Sequence, residues 1–222
     1  MEYVFIVTYG KSGSTLLLDA LNTTPGWCLR GENGGALYSL YEHYRELTRW
    51  QDHWSDIAPL PPSSPWFGID EYPRWDAKDM LAGLAEATVM RPTPTTRVTG
   101  FKEIRWDYED LHDYLDWIEA TFPGARFIGN VRPPEDTAKS GWWKQAPNAV
   151  EELARLEEKV RTAISTRDHR GFVVDYAEYG KEPEALRGLF AWLGEDFDKK
   201  RVRYAYGRQH GTDMSSGSSR KR

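Results

Sequence analysis

The chain has one cysteine, Cys28, in 222 residues. One thiol excludes an intramolecular disulfide and a cysteine-rich zinc site. It reads as a buried structural thiol in a reducing compartment. No run approaches the roughly 18 apolar residues that a membrane span needs, so no membrane partner is expected. Met1-Glu2-Tyr3 leads straight into Val4-Phe5-Ile6-Val7, without a basic region, a long apolar leader or a small-residue cleavage site. A cytoplasmic location is the expectation. His43, His53, His112, His169 and His210 show no metal-ligand spacing, and no metal is expected. Positive charge is outnumbered, with 29 Lys and Arg against 34 Asp and Glu. The formal net charge is −5, and setting aside the three positive charges of Met214–Arg222 leaves −8. Such a body repels nucleic acid. Any anion it binds needs a local pocket of donors.

What is abundant is aromatic side chain, 14% of residues with ten Trp and twelve Tyr, which excludes wholesale disorder. Short apolar runs predict strands over 3–7, 97–104, 126–131 and 171–175, with a further short one over 27–29. Helical patterns predict helices over 14–22, 35–50, 76–89 with Asp76 as cap, and 107–122 with Asp107 as cap. A short helix is predicted over 134–143. A longer one runs from Asn148 to about residue 166, with Asn148 and Glu151 as a capping box. Val150, Leu153, Leu156, Val160 and Ala163 form its core stripe, and a last helix runs from Pro183 to Gly194. Strands separated by helices predict an α/β fold, a three-layer sandwich with a mainly parallel sheet. One domain is expected over 1–213. Residues 51–75, rich in Pro and Trp, read as a packed functional loop and acceptor lid, and 214–222 as a disordered tail.

Thr8-Tyr9-Gly10-Lys11-Ser12-Gly13-Ser14-Thr15 follows a buried strand and opens a helix. That geometry suits an anion, because a helix N-terminus offers unpaired N–H groups and a positive dipole end. Gly10 and Gly13 let the backbone curl closely, Ser12, Ser14 and Thr15 add hydroxyls, and Lys11 adds charge. A nucleoside-triphosphate loop would need a glycine where Phe5 stands. The loop therefore suits one terminal phosphate better than a chain of three. Phe127-Ile128-Gly129-Asn130-Val131-Arg132-Pro133-Pro134 is the second informative stretch. It is an apolar strand, an Arg at its end, and Ser140 eight residues further on. Arg132 can grip a phosphate bidentately, or simply close a strand-end salt bridge.

Together these motifs resemble the sulfotransferases that use 3′-phosphoadenosine 5′-phosphosulfate (PAPS), whose fold is P-loop-like. The resemblance implies that the segment 10–15 holds the 5′-phosphate. Lys11 would neutralise the leaving group, and Arg132 with Ser140 would hold the 3′-phosphate. It implies PAPS as sulfuryl donor, 3′-phosphoadenosine 5′-phosphate (PAP) as product, and no metal. It departs from the family pattern at Gly10, and Tyr204–Gly211 stands where some relatives carry a Gly-rich loop.

Transfer to a hydroxyl needs a base. Glu32, after a short strand and among glycines, is the leading candidate, the rival reading being a carboxylate that caps the helix near residue 35. Lys102 and Glu103 end another strand on alternating faces, so one of them faces the site, as a sulfonate ligand or a rival base, unless both belong to a salt-bridged strand end. Trp142, with Trp143, Trp54, Trp66, Tyr72 and Trp75, is a candidate acceptor contact, although most of these rings are expected in cores. The acceptor is expected to be a carbohydrate or another small hydroxylated molecule, and a homodimer stays open. Two alternatives remain, a P-loop kinase and a non-catalytic nucleotide- or carbohydrate-binding protein.

Overall fold

The computed structural model describes residues 1–212, so the expected tail at 214–222 lies outside the described residues. Five strands form one sheet: β1 (Glu2–Val7), β2 (Trp27–Arg30), β3 (Val98–Glu103), β4 (Arg126–Val131) and β5 (Gly171–Asp175). Their spatial order is β2-β3-β1-β4-β5 and each neighbouring pair is parallel. The parallel α/β expectation therefore holds. Parallel pairing forces crossovers, and these carry the helices. Alternation along β1 divides the core. Phe5 and Val7 face one apolar cluster, and Val4 and Ile6 face the other, all fully buried.

On the first face lie α2 (Ala36–His53), α3 (Arg74–Ala85), α4 (Leu111–Thr121) and α6 (Ala149–Ser165). On the second lie α1 (Ser14–Leu21), α8 (Arg187–Leu193) and α9 (Lys199–Thr212). Two single-turn helices, α5 (Pro134–Thr137) and α7 (Tyr176–Tyr179), follow β4 and β5. Helix α9 is absent from the sequence reading. Its apolar content is a narrow stripe, Val202 and Ala205, packed on the α1 side, with Arg208 paired to Asp19 and the Tyr206 hydroxyl donating to the Tyr179 carbonyl at 2.5 Å.

Several local expectations are corrected. Asp76 sits inside the first turn of α3, which begins after Pro73. Asp107 caps nothing and lies outside α4. The capping box at Asn148 does not form, because Asn148 adopts a left-handed backbone and its side chain makes no cap bond. Val150 is exposed while Leu153, Val160 and Ala163 are buried. Residues 134–143 are not one helix: α5 stops at Thr137, Ser140 is extended, and a 3-10 turn covers Gly141–Gln145. The helix expected from Pro183 begins as a 3-10 turn and becomes α8. Cys28 is half-buried rather than fully enclosed. Residues 51–75 fold against the end of α2, with Trp66 stacked on Trp50 at 4.3 Å.

Asp107 instead joins α6. It accepts from Arg155 Nη1 and Nη2 and from Lys159 Nζ at 2.9, 2.5 and 2.9 Å. The Arg155 hydrogen bonds, helped by Lys159 and opposed by burial, hold its carboxyl well below the usual carboxylate range. A depressed carboxylate stabilises the fold above its unfolded value of roughly 3.9, and that contribution fades as pH falls toward the folded one. Asp107→Asn is expected to cost no more than about 1 kcal/mol at pH 7, since the pair is half-exposed. The gap between variant and wild type should narrow at pH 3. Urea midpoints at the two pH values check this.

Candidate active site

The carboxyl ends of parallel strands are where such sheets bind ligands. Here β1, β3 and β4 end around one cavity of about 500 Å³. The loop after β1 lines it with Gly10, Lys11, Gly13, Ser14 and Thr15. From the other strand ends come Glu32, Lys102, Arg132, Ser140 and Trp142. The two motifs, about 120 residues apart in sequence, thus share one chamber.

Elementary hydrogen bonding fixes the loop. The Thr8 hydroxyl donates to the Asn130 carbonyl at 2.7 Å. The Tyr9 hydroxyl donates to the Arg132 carbonyl at 2.7 Å and accepts from the Arg132 N–H at 2.9 Å, latching β1 to β4. Burial and loss of hydration push the Tyr9 phenol upward, so it stays a neutral latch. Arg132 Nη1 reaches the Lys11 carbonyl at 3.3 Å. Beneath them, Asn130 Nδ2 donates to the Ser12 carbonyl at 3.1 Å, and the Tyr179 hydroxyl bonds Asn130 Oδ1.

Ser12 departs from its expected role. Its side chain is fully buried and its hydroxyl meets Thr8 Oγ1 at 2.6 Å, so it braces the loop and does not line the cavity. Gly13 takes the left-handed backbone that opens α1, and no side chain caps that helix. The Leu16 N–H turns back to the Gly13 carbonyl at 3.0 Å, and the uncapped start of the helix at Ser14 and Thr15 lies in the cavity wall. A Cβ at Gly13 would run into the Tyr176 ring.

Three cations and one carboxylate line the cavity: Lys11, Lys102 and Arg132 against Glu32. The chamber is locally positive inside a chain of net charge −5. Lys102 is almost wholly buried and meets Glu32 Oε1 at 2.5 Å. Strand alternation sends Glu103 elsewhere. Its Oε2 accepts the N–H groups of Asn33 and Gly35 at 2.9 and 3.2 Å, and its Oε1 those of Ile104 and Arg105 at 2.7 and 3.2 Å. Glu103 therefore does not line the cavity. It pins the loop that carries Glu32. The helix at residue 36 is served by Asn33 Oδ1, which accepts from the Ala36 N–H at 2.8 Å, so Glu32 is not its cap.

Two aromatic residues sit on the cations. Lys11 Nζ lies 5.0 Å from the centroid of Trp142, and Arg132 Cζ lies 4.9 Å from that of Tyr176. Trp143 Nε1 donates to the Gly10 carbonyl at 3.0 Å, tying the 3-10 turn to the loop. Tyr176 is missing from the sequence reading. The available signal was an aromatic directly after a strand's carboxyl end. None of the residues 51–75 lines this cavity, so Trp54, Trp66, Tyr72 and Trp75 are not brought to it. Among the described residues, no cluster of three or more side chains suits a metal, and no helix is long and apolar enough to cross a membrane.

The sulfotransferase family model matches residues 3–199. Among solved structures, the sulfotransferase domain of the olefin synthase of Synechococcus PCC 7002 superposes with a TM-score of 0.60 at 21% identity, covering 93% of this chain and 77% of that one. The sulfotransferase domain of the curacin biosynthetic pathway superposes with a TM-score of 0.52 at 16% identity, covering 92% and 77%. Both likenesses concern the fold. No curated protein matches the chain.

Proposed function

The chain belongs to the sulfotransferase family, and from that premise we propose that it moves a sulfuryl group from PAPS to the hydroxyl of a carbohydrate or other small acceptor. One observation carries the reading: Lys11 and Arg132, each at the end of a different strand, line the same cavity. A donor with phosphate at two positions needs two separated oxyanion grips facing one space. The uncapped turn of α1, with Lys11, Ser14 and Thr15, suits the 5′ end. Arg132 and Ser140 suit the 3′-phosphate.

In this reading Glu32 takes the acceptor's hydroxyl proton as that oxygen bonds to sulfur. The bond from sulfur to the 5′-phosphate oxygen breaks in line. Lys11 and the loop amides receive the charge that develops on the departing phosphate, where preorganised donors act most strongly. Lys102 holds the Glu32 carboxylate through a charge-assisted hydrogen bond. Both products leave with their electrons accounted for, the sulfate ester neutral in redox terms and PAP carrying the former bridging oxygen.

Calorimetric titration with PAP and with ATP in the absence of Mg²⁺ tests the donor assignment. PAP is expected to bind at least tenfold more tightly, and a preference for ATP overturns the reading. Arg132→Ala removes a charge-assisted contact of about 1.5–3 kcal/mol. PAP affinity should fall about 10- to 100-fold, with the fold unchanged by circular dichroism.

A further inference from the structure

A cavity of about 450 Å³ opens between α2 and α4, and every residue of its wall belongs to one of these two helices. It shares no lining residue with the chamber at the strand ends. Thr48, in its wall, stands twelve residues past Ala36, about 18 Å along α2 from the end that follows the Glu32 loop. The volume lies within the roughly 300–1,000 Å³ of small-molecule sites. Three rings supply its apolar surface. Tyr41 and Tyr44 share one face of α2 with Thr48. Trp117 of α4 lies opposite, its ring 5.6 Å from Tyr41 and 6.2 Å from Tyr44 between centroids.

Two polar atoms of this wall are unmet. The Trp117 indole nitrogen has no hydrogen-bond partner, although the side chain is only 6% exposed. The Thr48 hydroxyl is buried and has no partner either. A helical threonine ordinarily returns its hydroxyl to the carbonyl four residues back, as Thr88 does to Leu84 at 2.6 Å. Thr48 makes no such bond. An unpaired buried donor costs its full desolvation, and an acceptor that reaches it recovers that cost. An indole N–H can only donate, so whatever completes this wall carries an acceptor.

The charges decide the rest. Arg45 and Arg49 stand in the wall against Asp52 and Asp113, so it carries no net charge. Three of the four are engaged outside the cavity: Arg45 with Asp110, Arg49 with Glu46 at 2.7 Å, and Asp52 with Arg74 at 2.5 Å. Asp113, exposed in the first turn of α4, has no bonded partner among the described residues. The one free charge is therefore negative, which disfavours an anion. A carboxylate accepts only, so it suits a donor on the ligand.

We infer that this cavity is a second binding site, separate from the transfer chamber, for an uncharged flat heterocycle that carries a ring carbonyl beside an N–H. Lactams and pyrimidine bases belong to that class. The ring packs on Tyr41, Tyr44 and Trp117, the carbonyl takes the Trp117 and Thr48 donors, and the N–H turns toward Asp113. The inference does not depend on which molecule donates the sulfuryl group.

The probes are 2-quinolone, naphthalene and quinoline-2-carboxylate, each titrated by calorimetry against the full chain. 2-Quinolone is expected to bind at least tenfold more tightly than naphthalene, which lacks the acceptor, and than the carboxylate, which is anionic. Thr48→Val keeps the branched shape and removes the hydroxyl. It should weaken 2-quinolone about fivefold or more and leave the melting temperature unchanged or raised, because an unpaired buried group is gone. Trp117→Phe keeps a ring in the wall, removes the N–H and should weaken 2-quinolone by a similar factor. The indole N–H resonance that Trp117→Phe deletes should be the one 2-quinolone shifts most in the wild type. PAP affinity should stay within twofold in both variants. Absence of 2-quinolone binding overturns the assignment, as does equal or tighter binding of either comparison probe, or binding that both variants leave unchanged. If 2-quinolone displaces PAP, the ring sits in the donor chamber and the separate site falls.

Discussion

Glu32→Gln is expected to lower kcat about 10²- to 10⁴-fold, the range for losing a positioned general base, while PAP affinity stays within about threefold. The substitution keeps the length of the side chain and one acceptor oxygen for Lys102, which sits 2.5 Å away in the native pair. It removes the capacity to take a proton and, with it, the negative charge that pairs with Lys102. The loop should hold its place, because Glu103 bonds the Asn33 and Gly35 amides independently of residue 32. Glu32→Asp separates chemistry from position. It retains the carboxylate but withdraws it by about a bond length, and a misplacement near 1 Å can cost about 10²-fold. The expected order is therefore wild type, then Asp, then Gln. Single-turnover rates with PAPS and an acceptor, set beside PAP titrations, read both quantities. A Gln variant within tenfold of wild type removes Glu32 as base. Equal losses of kcat and PAP affinity would instead make residue 32 a donor contact.

The parts of this protein that were legible in its sequence are those fixed by local pattern. The apolar runs at 126–131 and 171–175 became β4 and β5 with the expected bounds. The glycines and hydroxyls after β1 predicted a turn into a helix, and that is where the uncapped helix start lies. Features decided by distant partners were not legible. Asp107 has the residue type of a cap, yet Arg155 and Lys159, about 50 positions later, claim its carboxylate. Strand alternation said that Lys102 and Glu103 face apart. It did not say that four amides of two loops would converge on Glu103, nor that Lys102 would find Glu32. Trp142 followed from no periodicity, because the 3-10 turn at Gly141–Gln145 owes its place to the Trp143 bond to Gly10. Helix α9 escaped because two small apolar residues among charges give almost no periodic signal, and its burial depends on α1 being there to receive it.

Gly100→Ala is expected to be the most damaging single methyl that can be added to this chain, costing about 4 kcal/mol or more, at the exceptional end of point-mutant effects. Gly100 lies in β3 between β2 and β1, opposite Leu29 on one side and Val4 on the other. Its φ of +147° is one that side chains rarely adopt. A Cβ there would overlap the carbonyl of Val4 and approach the nitrogen of the same residue. A flexible side chain could swing away, but this obstacle is the backbone of Val4, a fully buried residue of β1. Relief requires β1 to move off β3, breaking ladder hydrogen bonds on the way. β1 also carries the Thr8–Gly13 loop, so a partial shift that preserved the fold would still displace the residues of that loop that line the cavity. Gly83→Ala is the matched control. Gly83 lies within α3, where a Cβ meets nothing within 4 Å, and alanine there should stabilise by up to about 1 kcal/mol through helix propensity. Thermal and urea unfolding of the two variants read the contrast. Gly100→Ala melting within about 1 kcal/mol of wild type would mean that the sheet can open at its centre. The close β1–β3 approach would then no longer be what holds Lys11 in register with Lys102.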